Sequence, residues 1–250
     1  CSVTGIDITG PFVEAATKLT ALLGLAERVS VRQGDGQQLP FDDAEFDGAY
    51  TQHVTMNVPD RGRFFAEAWR VLKPGAFFAL TEHGLGPTGD PHHPVPWSED
   101  GTGEWLVTPA QTRDLLTAAG FGAVEIEDTG PKYLAAYRNV IALAEQNTLP
   151  PLGIHLLLGE NALQKTRNSA RNIEEGRTHP IGIERSADGE DELRVGVAHR
   201  ARDRLDRIAR RKRCLRPFCS RGARNGGVAE AACALLRDSG RRSPAGRRSR

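Results

Sequence analysis

Residues 3–9 read VTGIDIT and residues 31–41 read VRQGDGQQLPF. In the first, Val3, Ile6 and Ile8 flank Gly5 and Asp7, which predicts a short buried strand over 3–8 with an acid at its carboxyl end. In the second, the strand VSVRQGD ends in Gly34–Asp35. Ligands of open α/β sheets sit beyond the carboxyl ends of the strands. An acid at Asp7 can accept two hydrogen bonds from a ribose diol, or it can cap the helix that follows. Asp35 can accept from an adenine amino group, or it can be a turn residue ahead of Gly36. Taken together at the ends of successive strands, the two acids imply a nucleoside lying across the sheet edge. Leu39 and Phe41 then supply an apolar wall.

Strands and helices alternate outward from these runs. Residues 11–23 place Phe12, Ala15, Ala16, Leu19, Leu22 and Leu23 on one helical face, with Pro11 at the start and Gly24 at the end. FDGAYTQHV (46–54) reads as a third strand. DRGRFFAEAWRVL (60–72) reads as a helix stopped by KPG, and AFFALTEHG (76–84) as a fourth strand. Residues 84–108 are rich in Gly, Pro and His without periodicity, long for a plain connection. Thr108–Pro109 opens a helix closed by Gly120, FGAVEIED (121–128) is a fifth strand, 132–147 and 160–175 are helices, and THPIGIE (178–184) is a last strand. The alternation predicts an α/β fold with a mainly parallel, Rossmann-like sheet covered on both faces.

The chain has 250 residues, 39% hydrophobic and 26% charged, with a formal net charge of +1. That suits one soluble domain with a tail. No apolar run approaches the roughly 18 residues of a membrane span, and no targeting segment is visible. Four Cys do not make a disulfide framework in a chain this long. No membrane partner is expected, and a cytoplasmic, reducing setting is the default. The near-zero charge hides an asymmetry. Residues 1–183 carry 14 basic and 23 acidic side chains, whereas 184–250 carry 19 and 9. All Trp and Tyr lie in the first part, which predicts a domain over 1–183 and an Arg-rich tail over 184–250.

The phrases VTGIDIT, GDGQQLPFDDAEFD, VPDRGRFFAEAWRVLKPGAFFAL and LLTAAGF follow one another in a telling order and spacing. Through them the chain resembles the class I S-adenosylmethionine-dependent methyltransferases. The nearest look is to the small-molecule branch that includes the sarcosine/dimethylglycine and ubiquinone-biosynthesis enzymes. The resemblance covers about residues 1–183 and matches that fold's second to sixth strands. It implies S-adenosylmethionine as cofactor and a small-molecule methyl acceptor. Asp7 would bind the ribose hydroxyls, with Ile8 beside the adenine. Asp35, the Gly36 backbone and Gln37 would hold the adenine amino group, and Gln52 and His53 would line the methionine part and the acceptor pocket. The family's first strand and glycine-rich loop, which precede the strand of Asp7, are not matched. The expectation is a chain truncated at its N-terminus that binds cofactor poorly. A nucleotide-dependent α/β enzyme of another kind, such as a dehydrogenase, is argued against by the order LPFDDAEFD…RVLKPG.

Methyl transfer from a sulfonium is an in-line displacement in which the protein mostly positions donor and acceptor. A base matters where the acceptor must lose a proton. His53, Glu82, His83, His92 and His93 are the candidates, with His53 and His83 at strand ends the two taken as catalytic. Trp97 and Trp105 flank the acidic SEDGTGE and could hold a cationic amine or pack the loop down. Tyr133, Tyr137 and Arg138 fall where acceptor pockets are shaped. Lys165, Arg167 and Arg171 read as ordinary core and solvated faces. Glu82, His83, His92 and His93 form no known ligand spacing, so no metal is expected. The tail invites a reading as a nucleic-acid-binding arm. However, Lys212 stands alone among 18 Arg and no Tyr or Trp offers a stacking platform. Its Arg, Ala, Gly, Ser and Pro are what an out-of-frame reading of GC-rich coding sequence produces. It is expected to be disordered, with a short helix around 225–237, and not to bind nucleic acid.

Overall fold

The computed structural model describes residues 1–122, 124–186 and 233–238. In chain order the elements are β1 (Ser2–Asp7), α1 (Gly10–Leu22), β2 (Val29–Gln33), β3 (Phe46–Gln52), a 3-10 turn (Thr55–Asn57), α2 (Arg61–Val71) and β4 (Leu72–Leu85). Then come α3 (Pro109–Ala119), β5 (Glu127–Asp128), α4 (Gly130–Glu145), α5 (His155–Leu158), α6 (Ala162–Glu174), β6 (Thr178–Ser186) and β7 (Cys233–Asp238). No helix among the described residues is long and apolar enough to cross a membrane.

The strands form one sheet in the order β2-β1-β7-β3-β4-β6-β5. β1 runs parallel to β2, and β3 parallel to β4. β7 lies antiparallel to both β1 and β3, and β6 antiparallel to β4 and β5. The sheet is therefore mixed, not mainly parallel. β6 returns directly from α6 beside β4, with Leu85 opposite Thr178, and this direction admits only antiparallel pairing. The expectation of a disordered tail also fails at one place. Cys233–Asp238 is a strand in mid-sheet, not the end of a helix, because β1 and β3 both offer it an open row of backbone groups. Residues 184–186 of the expected tail close β6, and 187–232 and 239–250 lie outside the described residues. FGAVEIED narrows to Glu127–Asp128, the two residues that find partners on β6.

The core sits where α2 and α3 cover β3, β4 and β6. Phe46, Phe64, Phe65, Val71, Phe78, Leu116, Phe121 and Ile181 form one cluster. The Phe78 and Phe121 rings stack at 5.1 Å, and Trp69 meets Phe121 edge-on at 5.4 Å. α2 begins at Asp60, whose carboxylate accepts from the Arg63 amide. α3 begins with a full capping box between Thr108 and Gln111. Opposite β4, Gly48 is the residue on which the Phe77 ring lies; a Cβ there would stand 2.1 Å from Phe77 Cε1. α1 departs from expectation. None of its residues is buried, and Phe12 and Leu22 are 56% and 83% exposed. It packs on β1 and β2 at the rim of the sheet, where no second described element covers its apolar face.

Arg70, in the phrase RVLKPG, ties the turn-rich link to α2. Its guanidinium donates to both oxygens of Glu67, to Asp43 and to the carbonyls of Leu39 and Phe41, all at 2.7–3.0 Å. Glu67 in turn accepts from the Leu39 amide. The Arg70 hydrogen bonds hold the Glu67 carboxyl below its ordinary range, and the Arg70 guanidinium is held above its own by Glu67 and Asp43. A Lys cannot reproduce this planar fork.

Replacing Arg70 by Lys is expected to cost about 2 kcal/mol in urea unfolding, since several charge-assisted bonds are lost at once. Deleting Cys233–Asp238 is expected to strip hydrogen-exchange protection from β1 while β3 and β4 keep theirs. Unchanged protection at Val3–Ile6 would show that β7 does not hold the sheet together.

Candidate functional site

The carboxyl ends of β1, β2, β3 and β4 bring together Asp7, the Gly34–Asp35 turn, Gln52–His53 and Glu82–His83. The parallel register of β1 and β2 pairs Asp7 with Gln33, two residues before Asp35. The first adenosine candidate, Asp7, does not cap α1. Thr9 holds the N-cap position, and Asp7 Oδ1 accepts from the Thr9 amide at 2.7 Å. Ile8 beside it is exposed, and Gln33 Nε2 donates to the Ile8 carbonyl at 3.0 Å.

Asp35 closes its own turn. Its Oδ1 accepts from the Gln37 amide at 2.8 Å, and Gln37 Nε2 donates to both carboxylate oxygens. Gln37 Oε1 accepts from the Asp60 amide, so the turn is anchored to the start of α2. Gly36 is demanded by packing, because a Cβ would stand 2.5 Å from the Phe64 ring. The structure thus places Asp7, Ile8, Asp35, Gly36 and Gln37 on adjacent strand ends.

Gln52 ends β3. His53 follows it with φ at +53°, a left-handed conformation that His tolerates but that stores local strain. Its amide donates to the Thr81 carbonyl. Its ring is buried and Nε2 lies 2.7 Å from the Tyr133 hydroxyl. Burial pushes the imidazole down to about 4, so it is neutral at physiological pH. His83, on the neighbouring strand, is wholly enclosed. Its Nε2 lies 3.2 Å from the Tyr137 hydroxyl and its ring stacks near Trp97, centroids 4.6 Å apart. Burial first, then the proximity of His53, holds it well below the ordinary histidine range. Tyr133 and Tyr137 stand one turn apart on α4, while the two His rings stand 5.4 Å apart on adjacent strands. Helix pitch and strand spacing match, and two Tyr–His pairs result.

The other candidate bases are engaged elsewhere. Side chains alternate along β4, so Glu82 faces away from His83. Its carboxylate accepts from Arg61 at 2.7 Å, from Thr112 at 2.6 Å and from Thr55. His92 bonds Glu175 and His93 bonds Glu104, both at 2.7 Å. The bond from Arg177, joined by those from His92 and Arg171, lowers the Glu175 carboxyl to about 2. Among the described residues no three His, Cys, Asp or Glu are grouped as for a metal. Trp105 is exposed, and Trp97 packs on His83 instead of pairing with it around a cation. Arg138, Arg167 and Arg171 form surface ion pairs with Glu174, Glu145 and Glu175. Lys165 is buried and pairs with Glu99.

The sequence did not show what the polar face of α6 does. Asn172 exchanges hydrogen bonds with both backbone groups of His92, and Asn168 donates to the Pro94 carbonyl. The helix thereby clamps the Pro/His loop beside the strand ends. Such Asn residues on a helix otherwise look like solvated positions.

Residues 1–80 match the family model described as "Methyltransferase domain". "Methyltransferase phqN" of Penicillium fellutanum is 31% identical over 137 residues, 52% of this chain and 42% of that protein. The chain thus spans under half the length of the curated relatives it matches. Among solved structures, Haemonchus contortus phosphoethanolamine N-methyltransferase 2 in complex with S-adenosyl-L-methionine aligns with a TM-score of 0.60 at 17% identity, over 74% of this chain and 43% of that one. The [4+2]-cyclase SpnF aligns with a TM-score of 0.56 at 23% identity, over 75% and 67%. In sequence, residues 1–80 are similar to a methyltransferase domain, and in fold about three quarters of the chain follow the Rossmann-like sheet of these two proteins.

Proposed function

We propose that this chain transfers a methyl group from S-adenosylmethionine to a small-molecule acceptor. The observation that carries the reading is the placement of Asp7 and Asp35 at the carboxyl ends of two neighbouring parallel strands, inside the stretch that matches a methyltransferase domain. Asp7 takes the ribose diol, with exposed Ile8 against the adenine. Asp35, shaped by Gln37 and Gly36, takes the adenine amino group. Gln52 lies toward the methionine part. The sulfonium brings its own activation, so the protein's work is alignment and the exclusion of water. His53 stands on the acceptor side, and His83 behind it acts through the packing that holds His53 in place.

One feature of the sheet bears on affinity. The position between β1 and β3 is taken by a strand running antiparallel to both, so its first residue, Cys233, lies at the ligand edge opposite Gln52. A parallel strand would instead end there and could turn into a glycine-rich loop and a helix N-terminus, the arrangement suited to a polar ligand group. We infer a weak grip on the cofactor in this form of the chain, acting through the two acids alone.

Calorimetry with S-adenosylhomocysteine tests the site. Asp7→Ala and Asp35→Ala are each expected to weaken binding at least tenfold, the worth of a charge-assisted hydrogen bond. Equal affinity in both variants would refute the assignment. The His53 environment gives a second expectation. The unfolded chain takes up a proton near pH 6.5, whereas the folded one refuses it down to about 4. The unfolded state therefore binds more protons in that window, and stability rises with pH across it. Stability is full above pH 6.5 and falls by about 3 kcal/mol on acidification to pH 4. Urea unfolding from pH 4 to 7 should show a shallower slope in His53→Leu than in the parent.

A further inference from the structure

α1 and α4 share one face of the sheet, and α2 takes the other. A crossover between parallel strands is right-handed. From β1 the chain crosses to β2 in one direction along the sheet, and from β3 to β4 in the opposite direction, so α1 and α2 fall on opposite faces. Side chains alternate along β4. Phe78 meets Phe65 of α2, whereas His83 meets Tyr137 of α4, which puts α4 on the face of α1.

Between α1 and α4 this face stays open over β3 and β4. Ala49 belongs to the core under α2, so its neighbour Tyr50 points the other way, and it is 39% exposed. Phe77 and Ala79, which alternate with Phe78, are half-buried on the same side. Phe12, Leu19 and Leu22 of α1 stand exposed at the flank. A parallel pair such as β3–β4 is ordinarily covered on both faces.

Two fixed points say what covers it. β6 ends at Ser186, opposite Phe77, and β7 begins at Cys233, opposite Gln52 at the ligand edge. Phe77 and Arg237 both pair with Gly48, so the chain must climb the sheet from the level of Gly48 to that of Gln52. It must also pass β4 and β3, which stand between β6 and β7. Roughly six or seven extended residues would span these steps, whereas residues 187–232 are available for them. The aromatic core under α2 closes the other face, so the short route lies across the open one. Charge favours the same match. Residues 1–183 carry 14 basic and 23 acidic side chains, and 187–232 carry 12 and 7. Leu205, Ile208, Leu215 and Phe218 stand among the arginines of that segment, and arginine stems cover apolar surface while their heads stay in water.

We propose that the open face over β3 and β4, walled by the apolar side of α1, is the docking surface for residues 187–232 of the same chain. This goes beyond the methyl-transfer reading and does not depend on it. The segment is the sheet's second layer on that side, and its acidic host balances its arginines.

The test uses the full chain. Benzoylphenylalanine in place of Tyr50, and separately of Phe12, is expected on irradiation to cross-link to peptides of 187–232 within a monomer, as read by mass spectrometry. The same residue in place of exposed Leu157 should not. Tyr50→Arg sets a like charge on the face, and tryptic cleavage between Arg202 and Arg216 is expected to quicken about fivefold, because cleavage follows the population of the undocked form. Leu157→Arg should leave that rate unchanged, and hydrogen exchange in β3 and β4 checks that the Tyr50→Arg sheet is intact. If Tyr50→Arg unfolds the sheet, 0.5 M salt on the parent replaces it and should quicken the same cleavage by screening the match. Cross-links that join two copies would make a second molecule the occupant and overturn the proposal. So would cross-links that avoid 187–232, or cleavage that neither the intact variant nor salt alters.

Discussion

β1 and β3 do not pair with each other; the backbone hydrogen bonds of one short strand, β7, join them. Everything at the ligand edge depends on that join. Asp7 and Asp35 belong to the β1–β2 side, and Gln52, His53 and His83 to the β3–β4 side. A strand's amides and carbonyls must be satisfied on both flanks or face water. With β7 in place the two halves become one sheet, and the candidate cofactor acids acquire a fixed distance from the candidate acceptor side. α1 shows how little else secures the β1–β2 half. Among the described residues no second layer covers its apolar face, so hydrogen bonding across the sheet carries what packing elsewhere shares.

The β3–β4 half is held in a different way. Its core is dense and aromatic, and Arg70 draws the LPFDD link onto α2 while the Asp35–Gln37–Asp60 chain fixes the turn above it. The strand end at His53 is thus built on a rigid base. That is what allows a left-handed backbone to persist there, since the strain of order 1–3 kcal/mol must be overdetermined by surrounding contacts. On the far side, α6 spends buried asparagines on the backbone of the Pro/His loop. Trp97, which that loop carries, rests on His83 as a consequence.

Much of this was legible in the residues. Period-2 and helical patterns marked β1 to β4 and α1 to α4 within a few positions, and the acids at 7 and 35 could be placed at strand ends without coordinates. What escaped depended on partners distant in sequence. FGAVEIED has the composition of a full strand, yet among its described residues the strand is the pair that reaches β6, Glu127–Asp128. The face of α1 is amphipathic, but amphipathicity says nothing about whether a neighbour arrives to cover it. β7 comes from a stretch whose Arg-rich surroundings masked its own CALL core. His53 was visible as a strand-end imidazole, whereas its pairing with Tyr133 spans 80 residues and arises only when α4 packs across the sheet.

The alternation of β4 shows how finely the site is set. Glu82 and His83 are neighbours in the chain and both are fully buried, yet they answer to opposite faces. Glu82 keeps its charge company with Arg61, and two threonine hydroxyls complete it. His83 meets the rings of His53 and Trp97 and the phenols of Tyr133 and Tyr137. Were the pairing of β4 to slip by one residue, the carboxylate would enter the aromatic cluster and the imidazole would face a guanidinium. The Glu82–Arg61 pair therefore does more than fill a core position. Breaking a buried pair leaves an unpaired charge at a cost of about 3–5 kcal/mol, a penalty large enough to forbid the slip. The neutrality of the histidine cluster, on which any use of His53 as a base depends, is in this sense guarded from the other side of the sheet.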